Sequence, residues 1–165
     1  MSFFHSLFSG MKFLHVIRDG RDLAFSVNQN QLNKHGAMLL EPIESQWSKP
    51  LRSIALWSRI NVLAADYGEE ILRGQYLRIR FEDLCAEPVP AIQRIFGFFG
   101  LRGDVEEITR LEVVSPESLG RWQNQDKETV ADLHRVGEAA LRRFGYCQPD
   151  SAFSRPAMLA QAPSL

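Results

Sequence analysis

The stretch KFLHVIRDGRDLAFS, Lys12 to Ser26, places a short apolar strand directly before a cluster of charge and the start of a helix. Phe13, Leu14, Val16 and Ile17 form an apolar run with β-branched members, the composition of a strand buried on both faces of a parallel sheet. Arg18 falls where that strand ends. Asp19, Gly20 and Arg21 make a tight turn, after which Leu23, Ala24, Phe25 and Val27 read as a helix with Asp22 and Ser26 in its first turn. Ligands of open α/β sheets bind outside the carboxyl ends of the strands. An arginine fork there, with the Ser26 hydroxyl further along, suits a phosphate. The alternative is that Arg18 pairs with Asp22 or another nearby carboxylate.

Upstream, Phe3, Phe4, Leu7 and Phe8 predict one face of a short helix packed on the body of the protein. Downstream, Asn28 to Pro50 is polar and interrupted by Gly36 and Pro42, and reads as an irregular connection suited to a lid or substrate loop. Ile54, Trp57, Ile60, Ala64 and Tyr67 then recur at helical spacing between Leu51 and Ile71, with Asn61 on or near the packed face. YLRIRF, Tyr76 to Phe81, alternates as a second strand. Pro88 and Pro90 open a helix that Gly100 stops. Val105 to Leu111 predicts a further short helix, Ser115 to Gln125 a polar loop, and Asp126 a cap on a last helix running to Gly145.

With 165 residues, 45% of them hydrophobic, the chain can bury one core, and a single domain over residues 1–147 with a flexible tail over 148–165 is the economical division. Nineteen basic residues against 20 acidic ones leave a net charge of -1 and no overall field for nucleic acid or an anionic membrane, so any anion site is local. The first dozen residues are too short for a membrane span and lack the basic start of a secretory signal. Cys85 and Cys147 have no CxxC spacing and read as reduced thiols of a cytoplasmic protein. No zinc-ligand spacing, nucleophile elbow or dinucleotide glycine fingerprint is present.

Three separated blocks resemble the nucleotide-dependent sulfotransferases. KFLHVIRDGRDLAFS is similar to their 3′-phosphate-binding segment, which implies contacts from Arg18 and Ser26 to 3′-phosphoadenosine 5′-phosphosulfate (PAPS) or adenosine 3′,5′-bisphosphate. YLRIRFEDLCAEPVPAIQRIFGFFGL resembles their second block and puts Phe81 at the aromatic position near the nucleotide. LGRWQNQDKETVADLHRVGEAALRRFGY resembles their closing loop and final helix, with Gly120, Arg121 and Trp122 over the nucleotide. The resemblance implies an α/β fold, a partial P-loop-NTPase-like three-layer architecture with a short parallel sheet. Its parent activity is transfer of a sulfuryl group from PAPS to a hydroxyl or amine acceptor. No Gly-rich Lys-Ser/Thr loop for the 5′-phosphosulfate occurs in the sequence, and the family's catalytic histidine or glutamate belongs to a region upstream of Arg18. The expectation is therefore a domain incomplete at its N-terminus and inactive alone, completed by a preceding segment or by homo-oligomerisation. The alternative is a non-catalytic nucleotide-binding or association remnant of the fold.

No catalytic base is assigned. His15 falls inside the first strand and reads as a satisfied interior histidine, His134 belongs to a helix remote from the acceptor, and His35 lies in the Asn28–Pro50 connection. His5 sits among packing aromatics. Glu82 and Asp83 are adjacent after a strand, where side chains diverge, and read as caps or as partners of Arg80.

Overall fold

The computed structural model describes residues 2–147. Strand β1, Phe13–Ile17, pairs in parallel with β2, Tyr76–Arg80, and the register sets Val16 against Ile79 and Ile17 against Arg80. Parallel strands require a crossover. Here it is long and helical: α2 Gly20–Ala24, α3 Asn30–Leu39 and α4 Lys49–Tyr67, the last running into a π turn at Gly68–Leu72. After β2 come α5 Phe81–Ala86, α6 Pro88–Phe99, α7 Val105–Glu112 and α8 Lys127–Arg143; α1, Ser2–Leu7, precedes β1. The fold is thus mixed and helix-rich, with a two-stranded parallel sheet, in keeping with an α/β class.

The core lies between α4, α8 and one face of β1. Ile17, Ile54, Trp57, Leu133, Leu141 and Phe144 form its buried centre. Side chains alternate along a strand, so Phe13, His15 and Ile17 face this core while Leu14 and Val16 face the other way. There Ile79 is buried, with α6 touching β2, whereas Val16 is 46% exposed. Two glycines mark close approaches. A Cβ on Gly20 would stand 2.4 Å from the Trp57 ring, and one on Gly137 would stand 2.7 Å from Ile54 Cδ1, so α2 and α8 both come down on α4 where a larger residue has no room.

Several expectations change. Residues 30–39 form α3 rather than an irregular connection: Leu32 and Gly36, one turn apart, are its buried positions, and a short apolar stripe was too narrow to stand out among Asn, Gln and Lys. Helix α2 is only five residues long. Ser26 and Val27 lie beyond it, and Val27 is 95% exposed, because Gln29 turns back to hydrogen-bond the carbonyls of Leu23, Ala24 and Ser26 and closes the helix. Helix α1 forms and His5 reaches the Tyr67 hydroxyl at 3.0 Å, but its phenylalanines do not pack on the body: Phe3 and Phe4 are 67% and 57% exposed, as is Phe8 just beyond it at 62%. The predicted tail, 148–165, lies outside the described residues. Asp126 caps α8 as expected, accepting from the Thr129 N–H at 2.8 Å.

Candidate functional site

Because Ile17 opposes Arg80, the chain leaves the two strands with Arg18 and Phe81 as neighbours. The Arg18 guanidinium stands 5.5 Å from the centre of the Phe81 ring. The Trp57 indole N–H donates to the Arg18 carbonyl at 3.0 Å and fixes the backbone at the strand end. Arg18 Nη2 donates to Asp22 Oδ2 at 3.1 Å and to the Ser118 carbonyl and hydroxyl at 2.6 and 3.0 Å. Pairing with Asp22, the alternative open from the sequence, is therefore real. It does not exhaust the guanidinium, which carries five N–H donors. Nε is buried with no hydrogen-bond partner among the described residues.

Asp22 organises this end of the sheet. It is 1% exposed. Besides holding Arg18, its Oδ2 accepts from the Gly120 N–H at 2.9 Å and its Oδ1 from the Trp122 N–H at 3.3 Å. One carboxylate thus ties the end of β1 to the loop before α8. Gly120 has φ of 73°, a left-handed conformation that favours glycine, and it turns the loop so that both amides face Asp22. The spacing Arg18–Asp22, one helical turn, is the sequence signal for half of this arrangement.

A second knot lies alongside. Arg21 is 4% exposed, and its Nε and Nη2 grip Asp19, with Nη2 to Oδ2 at 2.5 Å. Its Nη1 donates to His134 Nε2 at 2.8 Å and its Nη2 to the Tyr146 carbonyl at 3.1 Å. The guanidinium lies 3.8 Å from the centre of the Trp122 ring, within cation–π range. Accepting from Arg21 requires His134 to be neutral at Nε2. Burial, then the Arg21 charge, holds its pKa below the ordinary 6.5. Glu82 accepts from the Asp19 N–H at 2.8 Å and, through its other oxygen, from the Tyr146 hydroxyl at 2.8 Å. Burial, then Glu82, pushes the Tyr146 phenol well above its usual range. The Asp19 carboxylate also accepts from the Arg21 N–H, so the residue before α2 caps the start of that helix.

Beside these groups opens a cavity of about 350 Å³, lined by Arg80, Glu82, Gly120, Trp122 and Tyr146 among others. Arg80 lies against the Tyr146 ring at 4.5 Å and reaches Asp83 at 3.8 Å, the pairing expected from the sequence. Glu82 and Asp83 do diverge: Glu82 turns to Asp19 and Tyr146.

The structure sets Arg18 beside Phe81 and ties it through Asp22 to the backbone amides of Gly120 and Trp122, while the Trp122 ring lies on Arg21 and His134. It leaves Ser26 apart, and joins Arg121 to Arg18 only through the Ser118 carbonyl to which both donate. Ser26 is half-buried, and no hydrogen bond joins its hydroxyl to Arg18 among the described residues; its backbone N–H donates to the Leu23 carbonyl. Arg121 turns its Nε to the Ser118 carbonyl and its Nη1 to that of Phe25, at 3.2 and 3.4 Å. His15 is the satisfied interior histidine it reads as, between the Tyr76 hydroxyl at 2.7 Å and Asn61 Oδ1 at 2.9 Å. Burial lowers its pKa. Asp22, Arg21, His134 and Tyr146 are the organising residues that sequence reading did not single out as site members, because their partners are distant in the chain.

The family model described as "Sulfotransferase family" matches residues 1–106, so it covers Arg18, Ser26 and Phe81 and ends before the loop that carries Gly120. No curated protein and no solved structure matches the chain.

Proposed function

Since the chain belongs to the sulfotransferase family, we propose that the ends of β1 and β2 bind the 3′-phosphoadenosine half of PAPS or of adenosine 3′,5′-bisphosphate. The observation that carries this reading is the Arg18 guanidinium at the end of β1, anchored through Nη2 by Asp22 and Ser118, with a fifth of the side chain exposed and no hydrogen bond from Nη1 among the described residues. The residues present fit that half of the nucleotide. Arg18 offers charged donors to the 3′-phosphate, Phe81 and Trp122 offer faces for the base, and the Asp22-tethered loop closes the side. Arg18, Phe81, Gly120 and Trp122 are the proposed contacts. Ser26 and Arg121 remain proposed only as outer contacts that a bound phosphate would have to draw in.

Bound PAPS supplies the activated sulfuryl group that passes to a hydroxyl or amine oxygen or nitrogen. The chain's own part is positioning and charge compensation, which dominate the catalysis of such transfers. No base for the acceptor is assigned to any described residue, and a Gly-rich loop for the 5′-phosphosulfate is absent from the 165 residues. Turnover is therefore proposed to need a further segment or chain, in a three-layer sulfotransferase fold that it would complete. A second reading, association through α1 with a second copy or a preceding segment, is favoured by the exposure of Phe3, Phe4 and Phe8; light scattering at monomer mass across the micromolar range would remove the second copy. Two free thiols, Cys85 and Cys147, support a reducing, cytoplasmic setting, and no helix among the described residues is long and apolar enough to cross a membrane.

Calorimetric titration with adenosine 3′,5′-bisphosphate tests the reading. Saturable binding is expected, weakened roughly 10- to 100-fold in Arg18→Ala, the worth of a charge-assisted contact. Equal binding by a folded Arg18→Ala, or none by the folded parent chain, refutes it.

A further inference from the structure

Helix α3, the turn after it and the start of α4 surround a cavity of about 470 Å³ whose apolar walls are Leu32, Ala37, Leu40 and Pro42. Its one charged lining residue is Arg52. A Cβ on Gly36, which is buried in the same lining, would stand 3.9 Å from Arg52 Nη2, so the tip of the guanidinium lies over a position that carries no side chain. Among the described residues no carboxylate pairs with Arg52, and none of its guanidinium nitrogens makes a hydrogen bond. The reason is on the neighbouring turn of α4. Arg59 takes the acids of the loop, pairing with Glu44 at 2.7 Å and standing 3.9 Å from Glu41, and it donates to the Leu39 carbonyl as well. The Ser45 hydroxyl, also in the lining, already donates to the Pro42 carbonyl at 2.6 Å. Arg52 Nε is buried, which leaves Nη1 and Nη2 as the donors that an incoming group can reach.

We infer that this cavity binds a monocarboxylate on a short apolar stem, with the carboxylate end-on against Arg52 Nη1 and Nη2 and the stem along Leu32, Ala37, Leu40 and Pro42. The planar fork of a guanidinium matches the two oxygens of a carboxylate. One cation neutralises one negative charge; a phosphate monoester, which carries about 1.5 to 2 near neutral pH, would keep the remainder beside apolar walls. The walls select the stem, since each methylene laid on them is removed from water. An apolar cavity of about 150 Å³ admits benzene, so the space here accommodates a stem of about five carbons. This cavity shares no lining residue with the one at the strand ends, and its assignment does not depend on nucleotide binding there.

The test is methyl NMR on the full chain, titrated with hexanoate, with uncharged hexanamide and with inorganic phosphate. The expected result is saturable shifts of the Leu32, Ala37 and Leu40 methyls with hexanoate, and binding at least about tenfold weaker for the other two. Arg52→Met keeps the length of the side chain and removes its charge, and should weaken hexanoate roughly 10- to 100-fold, as for loss of a charge-assisted contact. Ala37→Glu sets a competing carboxylate at an exposed lining position, where the fold tolerates it, and should weaken hexanoate in the same range. Equal affinity for hexanamide would make the site an apolar groove and equal affinity for phosphate a general anion site, and either overturns the inference. So do shifts in the wild-type chain that are absent or scattered beyond these residues, and unaltered hexanoate affinity in folded Arg52→Met or Ala37→Glu.

Discussion

Replacing Asp22 by Asn keeps the shape of the side chain and removes its charge, and the structure says what that disconnects. Three donors converge on the buried carboxylate: Arg18 Nη2 at 3.1 Å, the Gly120 N–H at 2.9 Å and the Trp122 N–H at 3.3 Å. An asparagine oxygen still accepts, but the amide nitrogen that replaces the second oxygen is itself a donor and faces at least one N–H. Hydrogen bonds to charged groups contribute about 1.5–3 kcal/mol each, and breaking a buried ion pair from one side costs about 3–5 kcal/mol. With one acceptor retained, a loss of about 2–4 kcal/mol is expected. Urea unfolding followed by circular dichroism measures it as a lower midpoint at unchanged slope. Arg18→Met then closes a double-mutant cycle, in which a coupling of at least about 1 kcal/mol is expected for groups in direct contact. A change below about 1 kcal/mol for Asp22→Asn, or additive single effects, would refute the role assigned to this carboxylate.

Lowering the pH from about 7.5 to 5.5 should destabilise the protein. The folded-state pKa values of His15 and His134 both lie below the ordinary 6.5, so the unfolded chain takes up protons first; the associated stability is complete above 6.5 and is lost as pH falls toward each folded value. His134→Gln, which still offers an acceptor to Arg21, should flatten the urea-midpoint profile in that range; an unaltered slope would count against the Arg21–His134 contact. Gly137→Ala should lower the melting temperature by roughly 3–5 °C, since overpacking against Ile54 outweighs about 1 kcal/mol gained in helix propensity. Gly97→Ala, with open space around its Cβ in α6, should raise it. Tyr146→Phe should cost about 1–2 kcal/mol in the same melts by removing the hydroxyl shared by Glu82 and the Ile17 carbonyl, and no loss would mean that both acceptors are satisfied elsewhere.

The two strands and the helices α4, α6, α7 and α8 were legible because each is specified locally, by period, caps and breakers within one segment. The error at residues 30–39 has the same origin. A helix that buries only Leu32 and Gly36 carries almost no periodic signal, and contact with α4 stabilises it instead. Phe3, Phe4 and Phe8 misled in the opposite sense, since a local apolar face says that burial would be favourable but not that a partner surface stands opposite it.

The site divides along the same line. The sequence by itself determined that a guanidinium ends the first strand, that an aromatic residue follows the second, and that a Gly-Arg-Trp loop precedes the last helix, because these depend on order along the chain. Only the tertiary structure decided which of them meet. Asp22 and Trp122 are 100 residues apart and Arg21 and His134 are 113 apart, and their approach follows from how α2 and α8 pack on α4. Arg121 stands between Gly120 and Trp122 in sequence, yet its guanidinium goes to the carbonyls of Ser118 and Phe25, because a hydrogen bond is won by the nearest acceptor in space.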